Sequence, residues 1–185
     1  MKIVDKKQKE KIRVINKVLN FIDNSDWAHA RKYLKKRLLK DKNNTWLLAN
    51  ISSTYYEEKK YDIAYKYISE AFLIESEDPF VLWHLANVFN MLGKKIEAIV
   101  VWEKIIEKGV QPIIDYEYSP SLDWSVSLYN DVKFVLGFAY LKNNETMKGI
   151  NMLIDYLNGF NSGIYTMYNV EEAKKIIVQK GSNAL

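Results

Sequence analysis

Cysteine is absent from this 185-residue chain, and histidine (two), proline (three) and glycine (seven) are scarce. Without thiols there is no disulfide framework, no thiolate metal site and no cysteine nucleophile. His29 and His84 stand 55 positions apart, so no pair at helical metal-ligand spacing exists, and neither a glycine-rich phosphate loop nor a nucleophile elbow occurs. So few breakers cannot punctuate the many short strands of a β-sandwich, which favours helices. No apolar run approaches the roughly 20 residues of a membrane-crossing helix. The opening residues Lys2, Lys6, Lys7, Lys9 and Lys11 flank no apolar core of the kind a signal peptide carries. The expectation is a soluble, cytoplasmic, helical protein that is not an enzyme, with no cofactor, no metal and no catalytic residue.

What the chain does have is aromatic surface: 13 Tyr, 7 Phe and 5 Trp. Its net charge of +4 conceals an asymmetry, because residues 1–44 carry 14 Lys/Arg against 5 Asp/Glu and residues 45–185 carry 13 against 18. Arg31, Lys32, Lys35 and Lys36 form a candidate polyanion patch, although such runs are more often a solvated helix face. No nucleic-acid signature accompanies them, so nucleic acid is not the expected partner.

Self-similarity sets the architecture. Phe21, Tyr55 and Phe89 are 34 residues apart, as are Ala30, Ala64 and Ala98, and Leu34, Ile68 and Trp102. Tyr140, Gly149 and Leu153 follow the third member of each set by 51 positions, one period plus 17. Four hairpins are expected, at about residues 11–44, 45–78, 79–112 and 130–163, with an insertion at 113–129 before the last. In hairpins two to four a small residue (Ser52, Ala86, Gly137) precedes the aromatic by three, and another (Ala64, Ala98, Gly149) follows in the second helix. Small side chains at these places let paired helices approach closely.

These residues resemble the tetratricopeptide repeat, through the period, the later alanine and the runs Leu85-Ala86-Asn87-Val88-Phe89 and Leu136-Gly137-Phe138-Ala139-Tyr140. The resemblance implies an all-α, right-handed solenoid of antiparallel helix hairpins in a single domain, residues 1–185, whose first helices line a concave groove. Val18 and Arg37 depart from the pattern, as suits an end repeat. Gly109 is expected to cap a helix and Pro112 to stop it. Ser119-Pro120 is expected to start a first helix of repeat four that is extended by about ten residues. This segment, from Leu122 to Asp131, also resembles an inserted motif of small bacterial tetratricopeptide proteins. A final amphipathic helix at about 169–180 is expected to cap the stack.

The groove positions are Trp46, Asn50, Ser53 and Tyr56 in repeat two, Phe80, Trp83, His84, Asn87 and Asn90 in repeat three, and Asp131, Phe134 and Phe138 in repeat four. Aromatic rings supply contact area and amides pair with a peptide backbone, so the expected function is a protein-interaction scaffold that binds a peptide segment. Packing between repeats or under the final helix is the competing role for Trp83 and Phe134. Family members that clamp a terminal carboxylate use basic groove residues, where this chain has Ile15, Ala49, Phe80 and Trp83; a more apolar ligand is expected. The segment Asp115-Tyr116-Glu117-Tyr118 is a candidate for lying beside the groove. Alternatives are homo-oligomeric assembly, a secretion-chaperone role, which a basic net charge disfavours, and weak polyanion binding through the first repeat.

Overall fold

The structure, a computed structural model, describes residues 2–181, with side chains from residue 8 to residue 180. The ends of the expected domain, residue 1 and residues 182–185, and the side chains of Lys2, Lys6 and Lys7 lie outside the described residues. The described backbone holds ten helices and no strand, in two compact units divided after Ser76.

The first unit comprises α1 (Lys2–Asp23), α2 (Trp27–Leu38), α3 (Thr45–Glu57) and α4 (Tyr61–Ile74). Helix starts follow side-chain chemistry: the Asp26 carboxylate accepts from the His29 N–H and Asn44 Oδ1 accepts from the Leu47 N–H at 2.9 Å. Val18, Ala30 and Leu34 bury the α1–α2 seam, so Val18 is core despite its size. In the α3–α4 pair the Ser52 hydroxyl donates to the Ala64 carbonyl at 2.8 Å, which is possible only because both side chains are small.

The second unit comprises α5 (Pro79–Met91), α6 (Lys95–Lys108), α7 (Gln111–Ile114), α8 (Leu122–Lys142), α9 (Thr146–Asn161) and α10 (Val170–Gly181). Asp78 caps α5, accepting from the Phe80 and Val81 N–H groups at 2.8 and 3.1 Å, with Pro79 at the first helical position. Gly109 ends α6 with φ of 74°. Pro112 does not end a helix; it lies inside the short α7, where the first turn needs no N–H from it. The start of α8 falls later than Ser119-Pro120. Ser121 is the cap, accepting from the Trp124 N–H at 3.1 Å, because the Ser119 hydroxyl is turned inward onto Ser125 Oγ at 2.7 Å. Ser125 in turn donates to the Ile113 carbonyl at 3.0 Å, tying α7 to α8. With 21 residues against 13 in α5, α8 has the extra turns that carry Trp124 and Leu128. Tyr129 and Tyr140 pin α8 to α6 through the Ile106 carbonyl at 3.2 Å and Glu103 Oε1 at 2.5 Å.

One turn recurs in all four hairpins. Ser25, Lys59, Gly93 and Asn144 have φ of 53°, 60°, 76° and 64°, and they repeat the 34, 34 and 51 spacing of the sequence. In each, the next N–H (Asp26, Lys60, Lys94, Glu145) bonds the carbonyl of the repeat aromatic (Phe21, Tyr55, Phe89, Tyr140) at 2.8 to 2.9 Å. This bond replaces a side-chain cap at the second helices α4, α6 and α9, which have none.

Two substitutions separate space from backbone. A Cβ on Gly149 meets the Gly137 carbonyl oxygen at 2.8 Å, so Gly149→Ala is expected to lose about 1–3 kcal/mol in urea unfolding. A Cβ on Gly93 meets nothing within 4 Å, yet Gly93→Ala is expected to lose about 1 kcal/mol because of its left-handed backbone. Equal stability of the two variants and the parent contradicts both assignments.

Candidate functional site

In the first unit, α3 presents Trp46, Asn50, Ser53 and, to one side, Tyr56. Trp46 and Asn50 are buried, and the Asn50 amide donates to the Trp46 carbonyl at 2.8 Å, so one of its donors is engaged within the helix. Ser53 and Tyr56 are half-buried. Tyr56 meets Tyr61 edge-on at 5.5 Å, and burial raises its hydroxyl pKa.

The basic patch of the same unit divides in two. The Arg31 guanidinium donates to the Thr54 carbonyl at 3.1 Å and to Glu58 Oε1 at 2.7 Å, with its centre 4.5 Å from the Tyr55 ring. Lys35 donates to the Tyr55 hydroxyl at 3.0 Å, the main cause of its raised pKa. Lys32 and Lys36 are exposed. Arg31 and Lys35 therefore tie the first hairpin to the second, while the other two face solvent.

In the second unit, Phe80, His84 and Asn87 form one stripe of α5 at helical spacing, with Trp83 and Asn90 to one side. Trp83 is buried, Asn90 is exposed, and Phe80, His84 and Asn87 are half-buried. Phe80 is the hub of a ring cluster: His84 edge-on at 4.4 Å, Tyr116 stacked at 5.9 Å and Trp124 tilted at 6.3 Å. The segment between α7 and α8 thus does lie beside this face, with Tyr118 against Tyr116 at 5.7 Å. Burial lowers the His84 pKa to about 4, so the ring is neutral at neutral pH, and its buried Nε2 has no hydrogen-bond partner. Burial, followed by the Asp78 carboxylate, raises the Tyr116 hydroxyl pKa far above its ordinary value. The Asn87 and Asn90 amides make no hydrogen bond among the described residues.

The repeat-four residues lie elsewhere in the second unit and are covered. Asp131 and Phe134 are buried and Phe138 is half-buried, beneath the segment between α9 and α10 and α10 itself. Phe134 stacks on Tyr168 at 4.5 Å and 11°, and meets Phe138 at 4.6 Å and Tyr156 at 5.1 Å. Asp131 accepts from the Thr166 hydroxyl, and the Met167 N–H also hydrogen-bonds it. Ser127 donates to the Tyr165 carbonyl at 2.8 Å, and the Tyr156 hydroxyl is 3.1 Å from the Tyr168 carbonyl. Ala173, Val170, Ile176 and Ile177 complete this cluster from the α10 side.

Thr166 and Tyr168 carry no periodic signal because they lie in a loop, and sequence reasoning passed over them. Trp124, in the extension of α8, packs on α5 through Phe80.

Asp131 gives a pH signature. Burial raises its carboxyl pKa from 3.8 to about 6, against the lowering effect of its two donors. The folded state therefore holds the proton more tightly than the unfolded state. The stability this confers is complete below about pH 4 and lost as pH rises through about 6, on the order of 2–3 kcal/mol. Urea midpoints followed by tryptophan fluorescence are expected to fall across this window in the parent and to stay flat in Asp131→Asn.

Among the described residues no helix is long and apolar enough to cross a membrane, and no group of three or more His, Asp or Glu is placed to hold a metal ion. No family model matches the sequence, and no curated protein matches it. Solved structures do match. The chain superposes on a crystal structure of MamA protein with a TM-score of 0.66 at 17% identity, covering 94% of this chain and 82% of that one. A second crystal structure of MamA gives 0.59 at 17% identity, covering 89% and 94%. A tetratricopeptide repeat protein from Parabacteroides merdae ATCC 43184 gives 0.62 at 16% identity, covering 95% of this chain and 61% of that one. Helix hairpins of period 34, the close small-residue contacts of the α3–α4 and α8–α9 pairs and these neighbours together establish that the chain has the all-α tetratricopeptide-repeat fold.

Proposed function

We propose that this protein is a non-enzymatic interaction module that binds an extended peptide segment, with the α5 face of the second unit as its principal contact surface. The observation that carries the reading is the pair of unpartnered amides, Asn87 and Asn90, within two turns of the Phe80–His84–Tyr116 ring cluster. An asparagine amide both donates and accepts, which matches the alternating N–H and C=O groups of a peptide backbone. The neutral His84 ring and its neighbours offer an apolar seat for a side chain. On the first unit, taken by itself, Ser53 and Tyr56 occupy the positions one repeat earlier than Asn87 and Asn90 and are half-buried.

The fold shared with tetratricopeptide proteins supports a protein or peptide partner, since such hairpins present side chains from a rigid scaffold. An enzymatic role finds little support in the buried titratable groups. Asp131 is engaged by Thr166 and Met167, and His84 is packed among rings without a carboxylate partner. A cytoplasmic location accords with a chain without cysteine.

Trp83 is a poor probe of the face, because removing a buried tryptophan costs about 3–5 kcal/mol of stability. The informative variant is Asn87→Ala with Asn90→Ala. Peptides selected on the parent from a displayed random library are expected to bind this variant at least about tenfold more weakly, a loss of about 1.4 kcal/mol, at unchanged melting temperature. Equal binding by the variant and by Tyr116→Ala removes the α5 face from the reading.

A further inference from the structure

The first unit has a groove that the peptide-binding reading does not use. It lies between α2 and α4, is open to solvent and encloses about 530 Å³. Lys35, Lys36 and Leu38 line it from α2, Leu39 and Lys42 from just beyond that helix, and Tyr67 and Glu70 from α4.

Leu39 is 75% exposed and, beyond the groove lining, Leu73 in the last turn of α4 is 86% exposed. They are 34 residues apart, so they occupy the same repeat position at the C-terminal ends of successive second helices. The third repeat has Glu107 at this position, so the repeat architecture does not require leucine there. Two leucines left largely in water at one repeat position supply apolar surface that favours a covering partner.

The charges around this surface narrow the partner. Lys36 and Lys42 are exposed and make no ion pair among the described residues. Lys35 is held in place by the Tyr55 hydroxyl at 3.0 Å and lies 5.3 Å from the Tyr67 ring centre. The guanidinium groups nearby are already engaged: Arg31 pairs with Glu58 at 2.7 Å and Arg37 with Glu10 at 2.6 Å. What remains is compact ammonium charge beside leucine, without the planar forks suited to phosphate. Glu70 within the lining also opposes a uniformly anionic ligand such as nucleic acid or an acidic bilayer, and a bilayer cannot enter a groove.

We infer that the α2–α4 groove is a docking site for an acidic, leucine-bearing peptide segment of a partner protein, distinct from the α5 face. Its leucines cover Leu38 and Leu39 and extend toward Leu73, and its carboxylates pair with Lys36 and Lys42. Lys35 adds a fixed cation at the wall. The site depends on no residue of the α5 face.

The test titrates the full chain into a fluorescein-labelled peptide in which Leu-Leu pairs alternate with Glu-Asp pairs, read by fluorescence anisotropy. Saturable binding is expected, weakened about tenfold or more by Lys36→Glu with Lys42→Glu and by Leu39→Ser with Leu73→Ser, and unchanged by Asn87→Ala with Asn90→Ala. All four surface positions are exposed, so circular dichroism melting is expected to match the parent. Absence of saturable binding, or binding unaffected by either groove variant, overturns the inference. Equal binding of the same peptide with serine for leucine reduces the site to a polyanion patch and overturns it too. Preferential, lysine-dependent retention on phosphatidylglycerol vesicles assigns the face to lipid instead. A dimer in sedimentation velocity that Leu39→Ser with Leu73→Ser dissolves, without peptide binding, assigns it to a second copy of the chain.

Discussion

The contact on which the later hairpins depend is the close approach of two helices at a pair of small residues. In the α3–α4 pair this approach is near enough for a serine hydroxyl to reach the opposite backbone, Ser52 to Ala64. In the α8–α9 pair it leaves no room for a Cβ on Gly149 against the Gly137 carbonyl. Once the backbones are this close, the aromatic three residues after the small one is held at the end of the pair, where its carbonyl receives the N–H that closes the turn. The same contact sets which stripe of α3 and α5 is left facing outward. The chemistry of that outward surface is thus a remainder, fixed by what the small residues take inward.

That remainder is treated differently along the chain. On α5 the outward stripe keeps two amides without partners and acquires a ring cluster from the segment before α8. On α8 the corresponding stripe is covered by the chain itself. Phe134 stacks on Tyr168 and Asp131 is bound by Thr166 and Met167. A carboxylate in an otherwise aromatic cluster is an expensive way to hold a loop, since its charge is poorly solvated. It also makes the attachment directional, because only donors satisfy it.

How much of this could be read in the residues follows from where the information lies. The hairpins were legible because Phe21, Tyr55, Phe89 and Tyr140 recur with their small partners at fixed intervals, and packing of this kind writes a period. For the residues expected to line a groove, the pattern gives helix register and not exposure. The pattern gives Trp46, Asn50, Trp83, Asp131 and Phe134 the same outward register as Ser53 and Asn87, whereas burial depends on neighbours remote in sequence. The start of α8 was misplaced by two residues because Ser119 and Ser121 are equally good caps locally, and the inward bond of Ser119 to Ser125 decides between them. The loop donors Thr166 and Met167 had no local signal at all. The exposed pair Leu39 and Leu73 did have one, in its repeat spacing, although helical amphipathicity alone hides it.

The recurring left-handed turn has a consequence for how the hairpins open. Only Gly93 occupies that conformation without strain; Ser25, Lys59 and Asn144 adopt it with a side chain, at a cost of order 1–2 kcal/mol where the residue is neither Gly nor Asn. At Ser25 and Lys59 the local sequence does not select such a turn, so the docked helices impose it. A turn imposed in this way relaxes as soon as either helix end loosens, which makes the turn amides of Lys59 and Lys60 natural starting points for local opening and hydrogen exchange.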